Sequence, residues 1–70
     1  MMPLTMVNPG EEFTVARVGG LEDTKRFLNN LGFTDGAKVT VVSKVAENLI
    51  VNIRDSRVAL DAELAKKIMV

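Results

Sequence analysis

The chain has 70 residues, with nine basic and nine acidic side chains, three phenylalanines as its only aromatics, and neither cysteine nor histidine. That length makes one domain, residues 1–70, and an apolar content of 47% supplies a core and excludes a disordered tail. The cancelled charge, spread without a basic block, argues against a nucleic-acid-binding stripe.

The longest apolar runs are three residues, such as Leu49-Ile50-Val51, so no transmembrane span is expected. The N-terminus has neither a positive n-region nor an apolar h-region, which predicts a cytoplasmic protein rather than a secreted one. Without cysteine there is no disulfide and no thiolate ligand. Without histidine there is no ready pH switch.

In chain order, Met1–Gly10 reads as a lead-in. Leu4 and Val7 are three apart, with Thr5 between them as an N-cap, so one helical turn is expected, ended by Asn8-Pro9-Gly10. Residues 13–18 form a first strand. Phe13 and Val15 share one face, Ala16 and Val18 the other, and a bulge near Val15 would turn both pairs inward.

Gly19-Gly20 releases the backbone, and a helix begins near Leu21–Asp23. Thr24, Phe27, Leu28 and Leu31 lie at i, i+3, i+4 and i+7, one stripe of that helix. Glu22 and Asp23 suit its first turn; Lys25, Arg26, Asn29 and Asn30 make its polar face. Gly32 follows at once, which predicts a Schellman ending with Gly32 in the left-handed conformation and Phe33 against Leu28.

Thr34-Asp35-Gly36 then makes a turn, and from Lys38 the period changes to two. Val39, Val41 and Val45 alternate with Lys38, Thr40 and Lys44, which predicts a strand over 38–45. Ala46-Glu47-Asn48 is a hairpin loop. Residues 49–54 form the next strand, with Leu49, Val51 and Ile53 inward. Asp55-Ser56 is a tight turn, placed there because Asp tolerates positive φ. Residues 57–60 are another strand.

Asp61 is a good N-cap for a last short helix with Leu64, Ala65 and Ile68 apolar, and Met69-Val70 adds a closing strand. The fold predicted is mainly β with short helices: a small SH3-like barrel, a helix inserted after the first strand and a short helix near the C-terminus.

No catalytic set stands out. Ser43 and Ser56 are the only serines, with no histidine to activate either; a Ser-Lys pair through Lys44 or Lys67 stays formally open. Glu11-Glu12 and Glu22-Asp23 are sequence neighbours, whose side chains point apart on a strand or helix. The chain is therefore expected not to be an enzyme.

Transition metals favour imidazole and thiolate, and carboxylates, amides and thioethers are all this chain offers. No metal site and no cofactor are predicted. Met1, Met2, Met6 and Met69 are expected as core filler. Gly19-Gly20 before a helix lacks the Lys-Ser/Thr ending of a phosphate loop.

A binding surface is left. Val42 and Ile50 have outward parity on neighbouring strands and are expected as cross-strand neighbours. Together with the helix face bearing Lys25, Arg26 and Asn29, they form the candidate contact site.

The order and spacing of several segments resemble the FeoA family, ferrous iron transport protein A. These are Leu4, Pro9-Gly10, Leu28, Leu31-Gly32-Phe33, Gly36, Val39-Thr40-Val41, Arg57-Val58-Ala59-Leu60, Ala65 and Ile68-Met69-Val70. The resemblance runs from Leu4 to Val70. It departs from the family at Ala46-Glu47-Asn48, where members often carry Pro or Gly, and at Asp55, where many carry Gly.

The resemblance implies a cytoplasmic accessory of bacterial ferrous iron uptake acting on FeoB, a membrane transporter with a GTP-binding domain. Membrane insertion and nucleic-acid binding of its own are not implied, and a homo-oligomer is compatible with it. The family is associated with transition metal ion binding, including divalent iron, though no ligand set is seen here. The same fold resembles the C-terminal module of iron-dependent repressors, so the alternative is a regulatory module that binds such a repressor.

Overall fold

The computed structural model describes residues 1–70. A 3-10 turn, Leu4–Met6, precedes strands β1 (Glu12–Thr14) and β2 (Arg17–Val18). Helix α1 (Glu22–Leu31) follows, then strands β3 (Lys38–Val45), β4 (Asn48–Ile53) and β5 (Ser56–Leu60), helix α2 (Ala62–Ala65) and strand β6 (Ile68–Met69). Two antiparallel sheets, ordered β1-β3-β4-β5 and β2-β6, wrap one core of thirteen side chains drawn from nearly every element.

The expected helical turn at the start is present, but Thr5 lies inside it and the capping position is Pro3, which makes no side-chain cap. Proline's fixed φ suits that place. Leu4 and Val7 are both buried, as their spacing predicts.

The expected strand over 13–18 is broken in two. Val15 N–H donates to Ala37 O and Val15 O accepts from Gly36 N–H, both at 2.8 Å, on the side of the larger sheet. One residue later, Ala16 N–H donates to Met69 O at 2.8 Å, in the smaller sheet. The chain thus changes sheets between Val15 and Ala16. This crossing does the work foreseen for a bulge: Phe13, Val15 and Val18 all reach the core while Ala16 stays exposed.

Helix α1 begins without a side-chain cap, since Leu21 stands at the N-cap. Its acidic first turn, Glu22 and Asp23, partly substitutes through the helix dipole. Leu28 is fully buried and Leu31 packs against the core. Phe27, expected on the apolar stripe, is 50% exposed. At ten residues, α1 presents only the Leu28–Leu31 edge of that stripe to the barrel.

The ending is the predicted Schellman motif. Gly32 N–H donates to Asn29 O and Phe33 N–H to Leu28 O, both at 3.0 Å, with Gly32 at φ 116°. Phe33 and Leu28 are both fully buried, which anchors the helix end in the core. The turn that follows closes with Ala37 N–H donating to Thr34 O at 3.0 Å and Gly36 at φ 86°.

Strand β3 keeps its predicted bounds but not its predicted parity. It pairs with β4 as Val41↔Val51 and then Ser43↔Ile50, so Val42 is an extra residue opposite nothing. A bulge of one residue shifts every later side chain to the other face. Val45, expected inward, is therefore outward and 58% exposed. Lys44 takes the inward parity at the barrel rim, where its Nζ donates to Thr5 O at 3.1 Å.

The first hairpin turn is tighter than expected, and the second keeps its expected length but shifts. Val45↔Asn48 closes the first around Ala46-Glu47, and Ile53↔Ser56 closes the second around Arg54-Asp55, one residue earlier than predicted. Two-residue hairpins match the strand twist when their first central residue has positive φ. Ala46 and Arg54 hold that place at φ 55° each. Leu49, Val51 and Ile53 face inward as predicted, and all are buried.

Asp61 caps α2 as predicted, its Oδ1 accepting from Leu64 N–H at 2.9 Å. Ala65 and Ile68 are fully buried. Strand β6 then pairs with β2, Val18↔Ile68 and Arg17↔Met69. The chain ends meet: Met2 N–H donates to Val70 O and Val70 N–H to Met2 O, both at 2.9 Å. This closure leaves Met1 at 78%, Met2 at 41% and Met6 at 69% exposure, so three of the four methionines are surface residues rather than core filler.

Candidate partner-binding surface

The register of the larger sheet defines its two faces. Val39, Val41, Leu49, Val51, Ile53 and Leu60 line the inner face and belong to the core. The outer face carries the alternate rows: Glu12-Thr40-Asn52-Arg57, Ser43-Ile50-Ala59 and Val45-Asn48.

Of the predicted contact residues, Val42 and Ile50 are partly buried, yet neither packs against the core cluster. They belong to the outer side of the sheet, in line with the parity argument. They are not cross-strand partners as expected: Ile50 stands between Ser43 and Ala59, and Val42 occupies the bulge. The same bulge brings Val45 to that face.

The outer face therefore carries an apolar strip of Val42, Val45, Ile50 and Ala59, larger than the pair read from the sequence. Alternation alone missed Val45, because nothing local in Val41-Val42-Ser43 marks an unpaired residue. Ala59 has outward parity from its place between Val58 and Leu60, and its small side chain does not by itself mark a contact residue.

The helix residues are placed elsewhere. Lys25 is partly buried, Arg26 and Asn29 are exposed, and Arg26 Nη1 stands 3.6 Å from Asp23 Oδ1. Helix α1 buries Leu28 in the core, on the inner side of the sheet, whereas Ile50 belongs to the outer side. The structure thus separates the five candidates into two surfaces: the strip with Val42 and Ile50, and the α1 face with Lys25, Arg26 and Asn29.

The other half of the outer face is polar. A shallow groove of about 450 Å³ lies between Glu12, Thr34, Asp35, Lys38, Thr40, Asn52 and Arg54. Lys38 Nζ donates to Thr14 Oγ1 at 2.7 Å across the β1–β3 pair, and Arg57 Nε donates to Asn52 Oδ1 at 3.2 Å. No catalytic pairing emerges from Ser43 and Lys44, which have opposite parities on β3.

A resident transition metal also fits poorly. No three acidic side chains stand together, and the groove sets its two carboxylates among two cations.

The family model for the FeoA domain matches residues 2–70. A comparison with curated proteins returns no match. Among solved structures, the chain is similar to the Stenotrophomonas maltophilia FeoA complexed with zinc, at 29% identity over 99% of this chain and 88% of that one, TM-score 0.88. That protein is described as a prokaryotic SH3 domain protein and a suggested activating factor for bacterial ferrous iron transport. A second similar structure, called an iron uptake regulatory protein (FeoA), shares 25% identity over 96% of this chain and 89% of that one, TM-score 0.87.

A manganese-dependent transcriptional repressor shares the fold, TM-score 0.86, at 23% identity over 94% of this chain and 38% of its own. The mainly β architecture, two short helices and these likenesses make the fold an SH3-like barrel. With a family model spanning all but the first residue, the chain belongs to the FeoA domain family.

Proposed function

We propose that this protein is a non-enzymatic accessory of ferrous iron uptake in the cytoplasm, docking on the GTP-binding part of a FeoB-type transporter. Ferrous iron is then the transporter's cargo and not a cofactor of this chain. The observation that carries the reading is the apolar strip Val42, Val45, Ile50 and Ala59 on the outer face of the sheet, opposite the core into which the helices send Leu28 and Ala65. Family membership supports the iron-transport setting. To regulate rather than merely bind, the protein must prefer one nucleotide state of its partner.

The test is an amide-resonance titration of the labelled protein with the transporter's cytoplasmic domain, once with GDP and once with a GTP analogue. Shifts confined to Val42, Ser43, Val45, Ile50 and Ala59, stronger in one nucleotide state, are expected. Shifts confined to Lys25, Arg26 and Asn29 would move the docking site to α1. Shifts on neither surface, with a clear response to an iron-dependent repressor instead, would replace this reading by the regulatory one, which the shared repressor fold favours.

A further inference from the structure

Strand β5 pairs with β4 on one side and with nothing on the other. The two-residue turn at Arg54-Asp55 decides which of its backbone groups are left over. Ile53↔Ser56 closes that turn, and a pair flanking a two-residue turn exchanges both hydrogen bonds. Alternation then makes Val51↔Val58 and Leu49↔Leu60 the other bonded pairs. The N–H and C=O of Arg57 and Ala59 point away from β4, and no other segment of the chain bonds to them. Val58, at the centre, has core parity yet is only partly buried, because no strand lies beyond it.

We infer that this edge pairs with the β5 edge of a second copy of the chain, antiparallel about a two-fold axis at Val58. In that register Arg57 lies opposite the second copy's Ala59, and each such pair exchanges two backbone hydrogen bonds. Four free donors and four free acceptors are satisfied together. The two Val58 side chains meet at the axis in a non-hydrogen-bonded pair, the closer of the two kinds, and their exposed flanks are covered.

Charge and backbone pairing together select this register. Centring the axis on Arg57 would set two guanidiniums directly opposite each other, which disfavours pairing, and would bring no apolar pair together. Centring on Ala59 would set Val58 against Leu60 but Arg57 against Asp61, which lies beyond the strand as the N-cap of α2 and whose C=O already accepts from Ala65 N–H. A two-fold edge contact is self-complementary and closes after two copies, and with so short a strand it is weak and reversible. The dimer uses edge backbone groups in the sheet plane, whereas the proposed transporter docking uses side chains on the outer face; the two surfaces adjoin at Ala59, which gives its backbone to the first and its side chain to the second.

The experiment uses the full chain and exploits its lack of cysteine. Sedimentation from micromolar to millimolar protein is expected to show a monomer–dimer equilibrium, with the Arg57 and Ala59 amides gaining exchange protection as dimer forms. Val58→Cys is expected to form a disulfide-linked dimer under mild oxidation. Arg57→Cys is not, because its two copies sit diagonally, about 7–8 Å apart and beyond the Cβ separation of about 4 Å that a disulfide needs.

Ala59→Pro removes an N–H that points away from β4, a position where an edge strand tolerates proline. It is expected to keep the monomer's circular dichroism while weakening the dimer at least ~10-fold. A monomer at every concentration overturns the inference. So does a dimer in which Val58→Cys fails to link, or links no better than Arg57→Cys.

Discussion

Gly32 carries two constraints at once. Its φ of 116° is a conformation that side chains rarely adopt, and a Cβ there would stand 3.1 Å from Arg54 Nε, 3.2 Å from Arg54 Cδ and 3.3 Å from Ile53 Cγ1. Gly10, at φ 93° with nothing within 4 Å of its would-be Cβ, carries the first constraint alone. Gly10→Ala is expected to cost about 1 kcal/mol and Gly32→Ala about 1–3 kcal/mol. Urea unfolding of the two variants separates conformation from contact.

Arg54 is the converse case, a bulky residue held at φ 55°. Arg54→Gly is expected to raise stability by up to ~1 kcal/mol, read as a higher urea midpoint with an unchanged slope. The Schellman ending was legible in the sequence because it depends on residues within one helical turn of each other. The Arg54 turn was not: Asp55 has the better local preference for positive φ, and the pairing of β4 with β5 overrides it.

At the scale of elements, the bulge in β3 decides which valines are structural. Val51 is fully buried and Val45 is outward. Val51→Ala is expected to destabilise by about 2 kcal/mol, and Val45→Thr by less than ~0.5 kcal/mol. Thermal unfolding of the pair checks the register directly, because an unbulged β3 would bury Val45 and make the second change costly as well. Asp61→Ala is expected to cost about 1 kcal/mol through loss of the α2 cap, read in the same assay.

Strand and helix positions were largely readable from periodicity, and so was the inward set Leu49, Val51 and Ile53. The sheet change at Val15-Ala16 and the bulge at Val42 were not, since both arise from what the chain pairs with. The outward places of Val42, Ile50 and Ala59 followed from parity, and that of Val45 waited on the bulge. The grouping of Val42 and Ile50 with Lys25, Arg26 and Asn29 failed because nothing in the sequence says on which side of the sheet α1 packs.

At the scale of the whole molecule, the barrel is closed by its two ends. Ile68 is fully buried and β6 is the only partner of β2. Removing residues 68–70 is expected to abolish cooperative thermal unfolding, leaving a chain that still responds to heat but without a sharp transition. The ion pairs Arg26–Asp23 and Lys66–Glu63 are both solvent-exposed, so sodium chloride is expected to move the melting temperature little.

The paired ends also set how the molecule answers to mechanical force. Met2 and Val70 are bonded to each other at the open end of a short antiparallel contact that continues in the Pro3↔Met69 bridge. Tension applied at the two termini therefore opens the Met2–Val70 pair first and the Pro3↔Met69 bridge next, as a zipper is opened, rather than shearing both together. An unfolding motor that grips the C-terminus first meets only the short β6, then the four-residue α2, then the edge strand β5. Each is peeled from the barrel before the central β3–β4 hairpin bears any load.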